Sequence, residues 1–185
     1  MIYFIADTHF YQSSIILYCK RPFYSVEEMN KTLIDNWNKK VKTNDIVYFL
    51  GDFGFADQQK LRDIVNRLNG YKIIILGNHD TNRKKEEWEE IGFDEVYDKE
   101  YIFNYIDTQD TPRTIILSHK PLYINDKQYN IHGHIHDANL NDEFSNMDTN
   151  NHLCVSVEKI NYTPISFKEI KEKYLDSFFK SEKGN

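Results

Sequence analysis

Ile73-Ile74-Ile75-Leu76-Gly77-Asn78-His79-Asp80 decides how this chain is read. Its first half is an unbroken apolar run, the pattern of a strand buried on both faces. Its second half turns polar at a glycine and then offers side chains able to hold a metal or move a proton. The same pattern recurs. Ile2 to Ala6 ends in Asp7-Thr8-His9, Ile46 to Leu50 in Gly51-Asp52, Thr114 to Leu117 in Ser118-His119, and Asn130-Ile131-His132 in Gly133-His134-Ile135-His136. In an open α/β sheet, ligands collect beyond the carboxyl ends of the strands. Apolar runs that each stop at Asp, Asn or His therefore read as one shared polar site.

Between these runs the chain alternates. Phe10 to Tyr24 is irregular and aromatic-rich. Ser25 and Glu28 have capping-box spacing, and Val26, Met29, Leu33, Trp37 and Val41 recur near helical period. A second helix is expected from Gln58 to Leu68, stopped by Asn69-Gly70, and a third from Lys84 to Ile91, closed by Gly92. Tyr101 to Ile106 is β-prone, Asp107 to Pro112 reads as a polar turn, and Arg113 to Ser118 as a strand. Asp137 to Asn151 has the composition of a surface loop. Leu153 to Val157 and Tyr162 to Ser166 are expected to pair as two final strands. Ser166 and Glu169 then cap a helix over Phe167 to Phe179, and the tail from Lys180 is expected to fray.

A length of 185 residues, with 40% hydrophobic and 15% aromatic content, predicts one domain spanning 1–185 with a real core. The net charge of −6 argues against a broad face for duplex nucleic acid. The two cysteines, Cys19 and Cys154, form no CxxC pair and read as buried or idle thiols. The opening apolar run is too short for a secretory signal, and no run is long enough to span a membrane. A soluble cytoplasmic protein is the expectation; the oligomeric state is not readable.

The candidate ligands are Asp7, His9, Asp52, Asn78, His119, His134 and His136. They are too many for one four-coordinate ion and suit two if one carboxylate bridges. Mixed carboxylate, imidazole and amide donors point to divalent transition metals, Mn2+ first, with Fe, Zn or Ni as alternatives, rather than Ca or Mg. Two such ions about 3.5–4 Å apart can share a hydroxide and clamp a phosphoryl group through in-line attack. Two dications against two carboxylates leave a positive site that favours an anionic substrate.

Asp7-x-His9, Gly51-Asp52, Gly77-Asn78-His79-Asp80, His119 and Gly133-His134-x-His136 occur in the order found in the calcineurin-like metallophosphoesterases, which this chain resembles over residues 7 to 136. The stretch after His9, with Arg21-Pro22-Phe23, is similar to a bacterial and phage subgroup. The resemblance implies an α/β fold, a four-layer α-β-β-α sandwich with a dinuclear metal site at the strand ends. It also implies that Asp7, His9, Asp52 and His136 hold one metal, and that Asp52, Asn78, His119 and His134 hold the other. His79 is implied to be no ligand but the acid that protonates the leaving oxygen or steadies the developing charge. Phe55 and Ala56 stand where many relatives carry Asp, often followed by Arg. Asp80 and Asp57 are therefore the substitute partners for His79, and Arg21 and Arg83 the candidates for gripping phosphate.

The function expected is a metal-dependent phosphodiesterase or phosphatase acting on a small phosphoester, nucleotide derivatives included. A metal-binding scaffold of the same fold is the alternative, and an iron enzyme that activates oxygen a remote third. Asp80 reads equally as a helix cap or a catalytic group. His132 is expected to support the site or the fold rather than bind, and Tyr101, Phe103 and Tyr105 to form a half-buried sheet face.

Overall fold

The computed structural model describes residues 1–107 and 110–181. The chain runs β1 (Ile2–Ile5), α1 (Ser14–Tyr18), α2 (Val26–Lys40), β2 (Ile46–Phe49), α3 (Gln58–Val65), β3 (Tyr71–Ile75), α4 (Lys85–Ile91) and β4 (Glu95–Tyr97). It continues through β5 (Tyr101–Ile106), β6 (Pro112–Ser118), β7 (Tyr129–His132), α5 (Leu140–Glu143), β8 (His152–Cys154), β9 (Ile165–Ser166), α6 (Phe167–Ile170) and α7 (Asp176–Ser181), with a π-helical turn between the last two.

Two sheets form, one ordered β4-β3-β2-β1-β9 and the other β5-β6-β7-β8. In the first, β1 to β4 are parallel and β9 runs against β1. Side-chain alternation explains why β1, β2 and β3 read as continuous apolar runs. Tyr3, Ile5, Val47, Phe49 and Ile74 face α2, α3 and α4 in a core built around Trp37 and Trp88. Phe4, Tyr48, Leu50, Ile73 and Ile75 face the second sheet, meeting Phe103, Ile115, Leu117 and Ile131. Tyr101 and Tyr105 pack against this second core, as their alternation predicts. Ile170, Leu175 and Phe179 belong to it as well. A small separate cluster of Ile135, Leu140 and Met147 packs against Cys154 of β8. This is the expected α/β sandwich of two sheets with flanking helices. Among the described residues no helix is long and apolar enough to cross a membrane.

Local chemistry sets the boundaries. The Ser25 side chain accepts from the Glu28 N–H at 3.1 Å, and the Glu28 carboxylate accepts from Tyr24 N–H at 2.8 Å rather than closing a capping box. Ser166 and Glu169 do close one. Helix α3 stops at Val65, before the expected Leu68, because Arg67 and Leu68 donate back only three residues, to Ile64 and Val65. Gly92 takes the left-handed cap of α4 at φ 118°.

Three readings need correction. The stretch after Phe10 contains the short helix α1. β4 went unread, since Glu95-Val96-Tyr97 is too short to show alternation. The two final strands do not pair with each other. β8 joins β7 in the second sheet and β9 joins β1 in the first, because residues 155–157 cross between them, with Ala6 N–H donating to Val155 O and Val157 N–H to Ala6 O. The polar turn expected over 107–112 includes residues 108 and 109, and the fraying tail residues 182–185; these lie outside the described residues.

Candidate metal centre

Each polar switch in the sequence falls where a strand ends, and the backbone there bends sharply. Asp7, His9, Asp52, His134 and His136 all have positive φ, at 59°, 50°, 59°, 72° and 49°. Such values are uncommon for residues with a Cβ and persist only where surrounding structure enforces them. Gly77 and Gly133 let the loops close on the ligands: a Cβ would lie 2.2 Å from Asp52 Oδ1 at the first and 2.6 Å from Asp7 Oδ2 at the second.

Two clusters result. The ligand atoms of Asp7, His9 and His136 lie within 4.8 Å of one another, as do those of Asp52, His119 and His134. Asn78 Oδ1 joins the second cluster, 3.0 Å from His119 Nε2. Asp52 Oδ2 stands between the clusters, 3.4 Å from His119 Nε2 and 3.7 Å from His9 Nε2. His79, whose side chain is 47% exposed, places Nε2 4.0 Å from the same oxygen.

The imidazoles are oriented from behind. His119 Nδ1 lies 2.8 Å from Leu50 O, His136 Nδ1 3.1 Å from Glu158 Oε1, and His134 Nε2 3.2 Å from Glu143 Oε1. These contacts fix the rings, and the second nitrogens of His119 and His134 turn toward the cluster. His119 Nε2 and His134 Nδ1 are 3.2 Å apart. Asp7 Oδ1 and both nitrogens of His9 are buried without a hydrogen-bond partner, although Asp7 Oδ2 accepts from Ser156 Oγ at 2.6 Å and His134 N–H at 2.9 Å. Buried polar atoms rarely go unpaired. The donor set therefore fits divalent cations.

The electrostatics agree. Burial, with His136 and Arg21 nearby, pulls His9 down to about 2, so its ring is neutral and able to bind metal. Burial pushes the Asp7 carboxyl up, against the pull of His119 and His136. At His136 burial works against charge, but hydrogen bonds to Cys19 and Glu158 and the Asp7 carboxylate outweigh it and raise the group to about 11.

Other expected residues are placed differently. The Arg21 guanidinium is buried and fully engaged: Nε and Nη2 reach Glu158 Oε1 at 2.8 and 2.7 Å, Nη1 donates to Thr8 O at 2.8 Å, and Nη2 to Asp7 O at 2.7 Å. It supports Glu158 behind His136 and is not among the residues lining the cleft. Arg83 donates to Ala56 O and lies over the Trp88 ring, outside the residues lining the cleft. Asp80 is neither cap nor partner of His79. Its carboxylate accepts from the N–H groups of Asp52, Gly77 and Phe53 at 2.7, 2.8 and 3.1 Å, bracing the β2 loop against the β3 loop. Burial pushes it up to about 6, against those donors. Asp57 caps α3 by accepting from Lys60 N–H. His132 is buried with Nδ1 2.9 Å from Gly133 O, and burial pulls it to about 4. Glu158, Glu143 and Ser156 went unread, since nothing in their local sequence marks them.

Fold and ligand set together define the metallophosphoesterase class. The profile of the calcineurin-like phosphoesterases matches residues 1–181, and the chain belongs to that family. It is 42% identical over 168 residues to the uncharacterized protein MJ1445 of Methanocaldococcus jannaschii, covering 89% of this chain and 86% of that protein. It also resembles the crystal structure of AQ665, a protein of unknown function from Aquifex aeolicus, with a TM-score of 0.70 and 30% identity over 93% of this chain and 98% of that one.

Proposed function

We propose that this chain is a dinuclear-metal-dependent phosphoester hydrolase, acting as a phosphodiesterase on a small substrate. The observation that carries the reading is Asp52 Oδ2, which stands within 3.4 and 3.7 Å of histidine nitrogens from two separate ligand clusters. Asp7, His9, Asp52 and His136 would hold one ion, and Asp52, Asn78, His119 and His134 the other. Bound there, divalent cations supply an activated water and neutralise charge on the phosphoryl oxygens.

The chain's own residues do the rest. Leu50 O, Glu158 and Glu143 fix the rings of His119, His136 and His134. The Asp80 brace keeps Asp52 and Gly77 in register, so the ligands of two strand ends approach as one unit. His79 is exposed beside Asp52 and is positioned to deliver a proton from Nε2 to the leaving oxygen. The test is elemental analysis of the purified chain followed by a phosphate-ester panel that includes 2′,3′-cyclic nucleotides. About two transition-metal ions per chain with diester hydrolysis supports the proposal. A metal-loaded protein inert toward the whole panel overturns it in favour of a scaffold.

A further inference from the structure

The cleft above the two clusters has a volume of about 700 Å³. One wall is α1, whose Leu17 and Tyr18 line the cleft while remaining 84% and 83% exposed. Isolated exposed apolar residues are ordinary, but adjacent large ones on the wall of a ligand-bearing cleft mark a contact surface. The helix is firmly seated. Ile15 and Cys19 are buried in the core beneath it, and Arg21 N–H closes on Ile16 O at 2.8 Å. The Arg21 guanidinium ties the end of this segment to the carbonyls of Asp7 and Thr8, the backbone that carries the first ligands. Leu17 and Tyr18 therefore stand at a fixed separation from the metal centre.

Charge narrows what can lie there. Among the described residues that line the cleft there is no Lys or Arg, while Asp52 and Glu143 both contribute carboxylates. With Arg21 engaged by Glu158, and Arg83 by Ala56 O, no guanidinium from the expected pair meets the extra charge of a phosphomonoester or polyphosphate. A diester carries a single charge and replaces that extra oxyanion with a neutral alcohol.

We infer that Leu17 and Tyr18 form a specificity shelf for a singly charged phosphodiester, one of whose alcohols carries a flat aromatic ring, as a nucleoside does. This deepens the hydrolase reading and rests on it. The ring packs on Tyr18 and Leu17, and the phosphoryl group points to His79 and the ligand clusters. The stacking contributes to binding, and Glu143 counts against dianionic substrates.

The test uses the metal-loaded full chain with phenyl 4-nitrophenyl phosphate and methyl 4-nitrophenyl phosphate, which share a leaving group and differ only in the retained alcohol. Tyr18→Ala lowers the phenyl-over-methyl ratio of kcat/KM by roughly five- to tenfold, chiefly through KM, and Leu17→Ala lowers it less. A ratio unchanged in both variants overturns the shelf, as does a higher kcat/KM for 4-nitrophenyl phosphate than for the phenyl diester. A binding measurement separates this inference from the hydrolase reading. Diphenyl phosphate shifts the Tyr18 ring resonances in NMR spectra and dimethyl phosphate does not, whether or not any ester is cleaved. Equal shifts with both, or none with either, overturn it.

Discussion

The ring of Phe55 lies edge-on to the ring of His79, with centroids 5.0 Å apart and planes inclined by 60°. Phe55 also stacks on His9, at 5.8 Å and 10°. Among the described residues, the His79 ring has no hydrogen-bonded carboxylate behind it; its approach to Asp52 is 4.0 Å. Aromatic packing thus orients this imidazole where acceptor oxygens orient His119, His134 and His136. Phe55→Ala is expected to lower kcat roughly tenfold, with a larger loss for esters of poor leaving groups, because misplacing a proton donor is costly when the leaving oxygen needs it. Phe55→Tyr is expected to restore most of the activity. Unchanged kcat across leaving groups would show that Phe55 does not position His79.

His79→Ala is expected to keep the metals and lose about 10²- to 10⁴-fold in turnover. Elemental analysis beside steady-state kinetics separates the two effects. Full activity in this variant would remove His79 from the chemistry.

Glu158 receives both Arg21 and His136. Glu158→Gln is expected to weaken binding of one of the two ions by about 10- to 100-fold, since acceptors behind metal-bound histidines tune affinity by that much. A competitive chelator titration reads the change without any substrate. Two equally tight sites in the variant would count against this support.

Asp80→Ala leaves the N–H groups of Asp52, Gly77 and Phe53 without their acceptor in a buried place. A loss of about 3 kcal/mol in unfolding free energy is expected, measurable by denaturant titration. Asp80→Asn, which retains one acceptor oxygen, is expected to lose less. Equal stability of Asp80→Ala and the unaltered chain would show that the brace is dispensable.

Glu169 gives a pH signature away from the metal centre. Burial alone would raise it, but Lys40 and Ser166 hold it down to about 2. A carboxyl depressed on folding contributes stability that is present above its ordinary value and lost as pH falls toward the folded value. This contribution is therefore complete above about pH 4.5 and fades toward pH 2. Because the pair is about one-third exposed, the effect is modest. Lys40→Met is expected to flatten that part of the stability curve, as followed by thermal melts between pH 2 and 5.

The sandwich was legible because β1, β2 and β3 are buried on both faces and stop at abrupt polar switches. That Asp7, His9, Asp52, His119, His134 and His136 gather into two clusters was legible for the same reason, since each follows closely on a strand. Arg21 misled because its partner Glu158 is 137 residues away and lies in a crossing segment with no pattern of its own. Asp80 misled because its partners are main-chain N–H groups, which no side-chain motif announces. The destinations of β8 and β9 depended on Ala6 exchanging hydrogen bonds with Val155 and Val157, a long-range event invisible to local alternation.

The left-handed bends at Asp7, His9, Asp52, His134 and His136 carry a practical consequence. A socket whose curvature is cast by the fold does not wait for its contents to give it shape. Chelation is then expected to lower the melting temperature while leaving the far-ultraviolet spectrum unaltered, and retuning which ion is preferred becomes a matter of exchanging donors on a rigid frame.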